Sequence, residues 1–356
     1  MKSLVQFSVI DAHSAGAPAR VVVGGVPPVA GSTIAEKRQR LMEDHDHIRK
    51  LLMYEPRGSS EMCGSILMRP CDPEADIGIV FIETGGWPTM CGAGTIGAAT
   101  VMVENGYVQA VEPVTRITFD TPAGLVAAEI EVADGKVTGV TILNVASYMV
   151  VPDQTLEVPG FGDVSVDIAF GGNYYALVPA SSLGLKVHPE FAERLVLAGR
   201  AIRDAVNRDL KLADPVTGHN FNVPMVIFTE ELNEDGTYRN LVFFGESGVD
   251  RSPGGTGTSA RMAQRYYRGR QTVGEKFLHE SIIGSVFEGS IDKTTELGAV
   301  WAIIPKIRGR AHIIAQSTFL LDPEDPFSEG FGVGYASDAA RPASSSGYRA
   351  CEHDIY

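Results

Sequence analysis

The chain has 356 residues, of which 44% are hydrophobic and 21% charged, a composition typical of an ordinary soluble globular protein with two domains. Its formal net charge of -14 leaves no basic stripe that could neutralise a phosphate backbone, which argues against nucleic acid as a partner. Four scattered cysteines are too few for a disulfide framework, and the first residues carry no export signal, so we expect a cytoplasmic protein.

The first part of the chain predicts strands around one long helix. Thr33 followed by Glu36 forms a capping box, and apolar residues at helical spacing predict a helix up to Tyr54, where Pro56 stops it. Short β-branched runs between polar or Gly-rich turns are typical of strands. Such runs occupy residues 3–13, 20–26 and 77–83 and recur through 115–150.

Residues 84–103 form an uncharged run of twenty residues, the length of a membrane span. Five glycines, a proline and several threonines favour a loop followed by a buried helix. We therefore expect no membrane insertion, and a helix that begins at the Gly-rich turn around Cys91.

Residues 151–164 contain two prolines and two glycines, which predicts an irregular segment and a domain change near residue 150. The predicted domains are 1–150 with about 328–356, which carries Cys91, and 151–327, which carries the sequence DRSPGGTGT. Predicted elements of the second domain are strands at 168–178, 223–231 and 239–245, a helix at 189–210, and a loop turning into a helix at 250–263.

Two Gly-rich turns align with each other at an offset of 163 residues (254 minus 91). Cys91-Gly92-Ala93-Gly94-Thr95 falls on Gly254-Gly255-Thr256-Gly257-Thr258, and each turn follows a strand-like run and leads into a helix of small residues. Gly254 therefore stands where Cys91 stands in the other copy.

Such turns are suited to binding an anion. A helix start offers unpaired N–H groups and the positive end of the helix dipole, and glycines allow close approach. Two facing starts would clamp a carboxylate, which predicts a small carboxylic acid as ligand. Asp250, just before the second turn, could bind a substrate ammonium or ring imino group, or could cap the turn.

Cys91 is the candidate base. A helix start lowers a cysteine pKa from about 8.5 towards neutrality, and a thiolate beside a bound carboxylate could take its α-proton. The alternative is that Cys91 is a small buried hydrophobic residue, which is our interpretation of Cys63, Cys71 and Cys351.

His45 and His47 are two residues apart on a predicted helix and so point to different faces. Neither zinc spacing nor a nucleotide-binding loop occurs, so no metal and no cofactor are predicted.

The sequence resembles the proline racemase superfamily of proline racemases, 4-hydroxyproline 2-epimerases and trans-3-hydroxy-L-proline dehydratases. Its motifs are IDAHSAGAPARVVVGG, EPRGSSEMCGSILMRP, PTMCGAGTIG, GGNYYALV, DRSPGGTGTSA and GAVWAIIPKIRGRAHI. The resemblance implies an α/β fold of two similar domains, each a curved, mainly antiparallel sheet around a central helix, as in diaminopimelate epimerase. It also implies a site in the cleft between the domains.

The resemblance implies specific roles as well. Racemases and epimerases of the family exchange the α-proton between two cysteines without a cofactor; Cys91 matches the first, and Gly254 occupies the place of the second. Dehydratases keep the first cysteine and usually carry threonine at the second position. The implied substrate-binding positions are Gly92, Ala93, Asp250, Gly255 and Thr256.

Several family side chains are missing. Ala17 stands in place of an acidic residue, and Ser59 and Ala93 each stand in place of a histidine. In an approximate alignment, Pro224 stands in place of a further histidine. The elements that hold a carboxylate are kept, whereas those that recognise the rest of a hydroxyproline are reduced.

Three hypotheses follow, and whether the chain turns over any substrate stays open among them. The leading one is a cofactor-independent, one-base enzyme acting at the α-carbon of a proline-like acid, in the manner of a trans-3-hydroxy-L-proline dehydratase. A second is a diverged protein that binds a small carboxylate and has lost the family reactions. The third is a 4-hydroxyproline 2-epimerase in which water or a rearranged thiol replaces the second base. The expected partner is a small amino or imino acid, and the expected state a monomer or homodimer.

Overall fold

The structure, a computed structural model, describes residues 5–232 and 237–332. Cys351 and the part of the predicted segment 328–356 from residue 333 onward lie outside the described residues.

Residues 5–143, all of which the structure describes, contain seven strands and three helices. The strands are β1 (Val5–Ser14), β2 (Ala17–Gly24), β3 (Cys63–Met68), β4 (Ile77–Glu83), β5 (Val114–Thr121), β6 (Gly124–Ala133) and β7 (Lys136–Leu143). The helices are α1 (Ile34–Asp44), α2 (Asp46–Met53) and α3 (Gly92–Glu104). The predicted strand 77–83 and the predicted helix after Cys91 are confirmed.

In the second half, the described residues 148–232 and 237–332 contain ten strands and two long helices. The strands are β8 (Tyr148–Val158), β9 (Gly162–Phe170), β10 (Tyr174–Pro179), β11 (Met225–Leu232), β12 (Thr237–Phe244), β13 (Gly248–Val249), β14 (Phe277–Glu280), β15 (Val286–Leu297), β16 (Val300–Gly309) and β17 (Ala311–Leu321). The helices are α4 (Ala192–Asp209) and α5 (Gly255–Tyr267), and short 3-10 turns cover Ala180–Leu183 and Pro189–Phe191.

Both halves pair their strands in the same order. In the first, β2–β3 and β4–β5 are parallel, while β1–β2, β3–β4, β5–β6 and β6–β7 are antiparallel. In the second, β10–β11 and β12–β14 are parallel, while β9–β10, β11–β12, β14–β15 and β15–β16 are antiparallel. The repeat indicated by the two Gly-rich turns therefore extends over the strand pairing of both halves.

The halves also share strand pairs. β16 pairs with β7, and β17 pairs with β1 from Val5 opposite Leu321 to Ser14 opposite Ala311. The chain thus returns to its first strand before residue 328, and the domain boundaries near 150 and 328 stay a prediction.

Two local predictions were wrong. The helix predicted up to Tyr54 is broken at His45, whose φ of -136° and ψ of 22° end α1 and begin α2. The carboxylate of Asp46, just after the break, accepts hydrogen bonds from Arg49 Nε and Trp87 Nε1, both at 2.7 Å. These bonds stabilise a new helix start at that point.

The segment 151–164 is a hairpin of β8 and β9 rather than irregular. The pairing has two register shifts; the second, between Val151 and Gln154, absorbs Pro152 and Asp153, and Asp153 has a φ of 52°. Leu156, Val158, Val164 and Val166 are buried at alternating positions. This period-2 pattern, interrupted by a bulge, outweighs the prolines.

Helices α3 and α5 occupy equivalent places in the two halves, each between strands and largely surrounded by them. Every residue from Gly92 to Val103 is buried, and so is every residue from Gly255 to Arg265. Small side chains make this packing possible, since a Cβ added at Gly97 would lie 2.8 Å from Ala19 Cβ. No helix in residues 5–232 and 237–332 is long and apolar enough to cross a membrane.

The starts of α3 and α5 touch through their backbones. A Cβ added at Gly92 would lie 2.6 Å from Gly255 Cα, and one added at Gly255 would lie 2.7 Å from Gly92 Cα. Neither side can yield by rotating a side chain, so only glycine on both sides allows this approach.

Gly92→Ala should therefore force the two halves apart. We expect a loss of about 1–3 kcal/mol in the free energy of unfolding, measured by urea denaturation. Gly24→Ala is the control, because its added Cβ would meet only Ser8 Cβ at 3.7 Å, an ordinary contact. Equal stability of the two variants would contradict the proposed contact.

Candidate active site

The two Gly-rich turns make the same hydrogen bonds. Cys91 O accepts from Thr95 N at 2.9 Å and Thr95 Oγ1 at 2.8 Å. Gly254 O accepts from Thr258 N at 2.7 Å and Thr258 Oγ1 at 2.6 Å. The same two hydrogen bonds in each turn thus support the alignment of position 91 with position 254.

The backbone at these equivalent positions differs. Cys91 is extended, with φ -139° and ψ 109°, whereas Gly254 has φ 75° and ψ 110°. A side chain at position 254 would be strained in this left-handed region, and its Cβ would lie 3.1 Å from Val242 Cγ2. Position 254 therefore lacks a thiol and also has a backbone shape that favours glycine.

A cavity lies between the two helix starts. It is lined by every residue predicted for the site: Cys91, Gly92, Ala93, Asp250, Gly254, Gly255 and Thr256. The N–H groups of the first turns of α3 and α5 converge here from opposite halves of the molecule. A carboxylate would meet two positive helix ends in this cavity.

Cys91 caps α3 through its sulfur, which accepts a hydrogen bond from Gly94 N at 3.3 Å. The expected fall of its pKa towards neutrality is wrong for the free protein. Burial, together with the nearby carboxyl groups of Asp250 and Glu83, raises the pKa of Cys91 to about 12 against the opposing effect of the Gly94 N–H. Cys91 is a thiol until a ligand changes this environment.

Asp250 shapes the second turn and also lines the cavity. Its Oδ1 accepts from Ser252 N at 2.8 Å and Ser252 Oγ at 2.9 Å, and Ser252 Oγ accepts from Gly254 N at 3.1 Å. Its Oδ2 lies 3.4 Å from where a Cβ of residue 254 would sit. One oxygen thus shapes the turn while the residue lines the cavity, and burial raises its pKa to about 6.

Side chains of the second half brace both turns. Tyr175 Oη and Thr256 Oγ1 share a hydrogen bond of 2.6 Å. Asn173 Nδ2 donates to Met90 O at 2.5 Å, and Asn173 Oδ1 accepts from Thr89 N at 3.1 Å. The loop that precedes Cys91 is therefore held by the opposite half of the molecule.

Cys63 and Glu83 are among the cavity residues that were missed at the sequence level. Cys63, interpreted as a small buried residue, lines the cavity, and its strand partner Glu83 does so too. Burial raises the pKa of Cys63 well above its usual value. Burial and Asp250 raise the pKa of Glu83 to about 8, opposed by Arg49. An available signal was an acidic residue at the end of an apolar strand, eight residues before Cys91.

A wider cleft of about 480 Å³ adjoins this cavity at Glu83 and is lined by both halves. Ser59 and Pro224, two of the positions where family histidines are missing, lie in this outer cleft. Gly85 and Gly245 also line this cleft, and their backbones lie close together, since a Cβ at Gly85 would lie 2.7 Å from Gly245 Cα.

Sequence comparison identifies the family. The model of the proline racemase family matches residues 9–332, and the chain belongs to this family. The proline racemase of Clostridioides difficile is 42% identical over 332 residues, which cover 93% of this chain and 99% of that protein. The 4-hydroxyproline 2-epimerase of Streptosporangium roseum is 45% identical over 331 residues, with coverage of 93% and 99%.

Structural comparison agrees. The crystal structure of a hydroxyproline epimerase from Agrobacterium vitis, with bound trans-4-hydroxy-L-proline, has a TM-score of 0.89 and 32% sequence identity. The match covers 94% of this chain and 98% of that chain. The expected mixed α/β fold is confirmed.

The raised pKa of Glu83 predicts a pH-dependent stability. The folded protein binds this proton more tightly than an unfolded chain, in which the pKa is near 4.5. The resulting stabilisation is complete below about pH 4.5 and is lost as the pH rises through about 8. As the pH rises from 4.5 to 9, the free energy of unfolding of Glu83→Gln should increase relative to that of the wild type by up to about 5 kcal/mol. Urea denaturation at several pH values measures this difference. A stability difference that is independent of pH would contradict the burial of this carboxyl group.

Proposed function

We propose that this protein is a cofactor-independent enzyme that uses Cys91 as its only thiol base at the α-carbon of a proline-like imino acid. The reaction we propose is dehydration of trans-3-hydroxy-L-proline to a pyrroline carboxylate. The observation that carries this proposal is the asymmetry of the two helix starts. One holds a thiol, and the other holds Gly254 with a φ of 75°.

Substrate binding follows from the cavity. The carboxylate would accept hydrogen bonds from N–H groups at the starts of α3 and α5, and the ring ammonium would lie beside Asp250. These contacts place the α-carbon near the Cys91 sulfur. The bound substrate is fixed at both its charged ends, which leaves its ring to contact the remaining walls.

The raised pKa of Cys91 couples its activation to binding. Asp250 is one of two carboxyl groups that raise this pKa, and a substrate ammonium beside Asp250 would offset its negative charge. The thiolate is then favoured in the complex compared with the free protein. A base that forms only with substrate present is also protected from oxidation, since thiolates react and thiols do not.

Elimination suits a site in which one of the two helix starts carries a thiol and the other does not. Racemisation needs a second group to return a proton to the opposite face of the α-carbon, and at position 254 there is no side chain. Elimination of a hydroxyl from the neighbouring carbon needs only one α-proton abstraction. The relatives compared above are named racemase and epimerase, so the choice of dehydration rests on Gly254 and not on their names.

A second candidate is 4-hydroxyproline 2-epimerisation. It is favoured by Cys63, which lines the same cavity as Cys91 and is a thiol at a different position from the missing one. Inversion of configuration at the α-carbon distinguishes this candidate from dehydration, which removes that centre.

Cys91→Ala should lower kcat/KM for dehydration by about 10²–10⁴-fold, because no other group takes the α-proton. The product can be followed by absorbance or NMR. Cys71→Ala is the control, since Cys71 lies in a turn and its sulfur approaches Gly31 O at 3.7 Å, outside the cavity. Unchanged turnover in Cys91→Ala would refute the role of this thiol.

Gly254→Cys should not create a racemase. The positive φ makes a side chain unfavourable by about 1–2 kcal/mol, and the new Cβ would press on Val242. We expect reduced stability in denaturant and no inversion of L-proline, with Gly254→Ala as the matched variant that lacks the thiol. Inversion by Gly254→Cys at wild-type stability would show that the backbone at this position imposes no such limit.

A further inference from the structure

Glu83 is placed to act on the substrate together with Cys91. It is the last residue of β4, directly opposite Cys63 of β3 in an antiparallel pair, so the two side chains share one face of the sheet. Both line the cavity between the helix starts. Glu83 is only 8% exposed.

The surroundings of Glu83 favour its protonated form. Asp250, on the loop before α5, adds negative charge, and the thiols of Cys63 and Cys91 lie in the same cavity. Arg49 of α2 is the nearby cation, but its Nη1 donates to the backbone oxygens of Glu83 at 3.0 Å and Thr84 at 3.1 Å. Its Nε and Nη2 donate to Asp46 at 2.7 and 3.0 Å.

The other polar groups of the cavity already have functions. The helix starts would hold the carboxylate, Asp250 the ring ammonium, and Cys91 the α-proton. Tyr175 is bonded to Thr256, and Asn173 braces the loop before Cys91. Among the described residues that line the cavity, the acid left to meet a substituent on the ring is Glu83.

We infer that Glu83 is the general acid that protonates the departing hydroxyl, an inference that rests on the proposed dehydration. The Cys91 thiolate takes the α-proton, the α-carbon to β-carbon double bond forms, and the bond from the β-carbon to oxygen breaks. Glu83 gives its proton to that oxygen, which leaves as water. After the product leaves, Cys91 keeps the abstracted proton as a thiol, and Glu83 takes up from solvent a proton equivalent to the one that Cys91 released to solvent when the substrate bound. The cycle closes without an oxidant or reductant.

The repeat supplies a control. The offset of 163 that relates the two turns also relates Glu83 to Glu246 (246 minus 83). Glu246 lines the outer cleft instead of the cavity, its side chain is 41% exposed, and its Oε1 lies 3.5 Å from Arg203 Nη1. Glu246→Gln thus makes the same chemical change at the equivalent position, away from the cavity.

The test compares two reactions in Glu83→Gln, Glu246→Gln and the wild type. One is dehydration of trans-3-hydroxy-L-proline; the other is exchange of the α-proton of proline in D₂O, which needs Cys91 but has no leaving group. We expect Glu83→Gln to lose about 10²–10⁴-fold in dehydration and less than about threefold in exchange. Glu246→Gln should keep both, and Glu83→Asp should regain part of the dehydration.

The pH profile adds a readout that a structural role would not change. Because the pKa of Cys91 is about 12 and that of Glu83 about 8, wild-type kcat/KM for dehydration should rise with pH up to about pH 8 and level off above it, as loss of the Glu83 proton offsets further ionisation of Cys91. Glu83→Gln should instead keep rising above pH 8. Equal loss of exchange and dehydration, or full retention of dehydration, in Glu83→Gln would overturn the inference. Wild-type exchange without dehydration would also overturn it while leaving Cys91 as the base. Absence of both reactions in the wild type would instead refute the proposed function itself.

Discussion

The site depends on the backbone contact between Gly92 and Gly255. Because neither residue has a side chain, the starts of α3 and α5 approach until an added Cβ on either would come within 2.7 Å of the other's Cα. The N–H groups of two helices from different halves are thereby directed at one small space. The repeated strand order around each helix holds the two helix starts at this distance.

At these two helix starts, the two halves carry different side chains but make equivalent hydrogen bonds to the backbone. Thr95 and Thr258 make equivalent hydrogen bonds, yet only the first turn carries a thiol. The enclosed space disfavours charge, so its thiol and carboxyl groups hold their protons more tightly than in water. Under the proposed function, a zwitterionic substrate would supply opposite charges at both ends of the site and would so couple recognition to proton transfer.

Local features of the sequence predicted local features of the structure. The Thr33 cap is formed, with Glu36 N donating to Thr33 Oγ1 at 3.1 Å, while the Glu36 carboxylate accepts from Ser32 N at 2.8 Å instead of from Thr33 N. The Gly-rich turns open helices where expected. The pairing of strands that are distant in the sequence could not be predicted from such local features. The pairing that places Cys63 opposite Glu83 depends on register, and the pKa of Cys91 depends on carboxyl groups brought in by folding. The Gly-rich motif alone indicates the helix dipole, which lowers the pKa of Cys91, but it does not indicate the burial that raises this pKa.

The central claim is that the site contains one thiol base at the α-carbon. Incubating L-proline and D-proline separately with the protein in D₂O, followed by NMR of the α-proton and chiral chromatography, tests it directly. The account predicts that deuterium enters the α-carbon of one enantiomer only and that its configuration is retained. Deuterium entry accompanied by inversion would contradict it by revealing a second proton-transfer group, and exchange in neither enantiomer would contradict the role of Cys91.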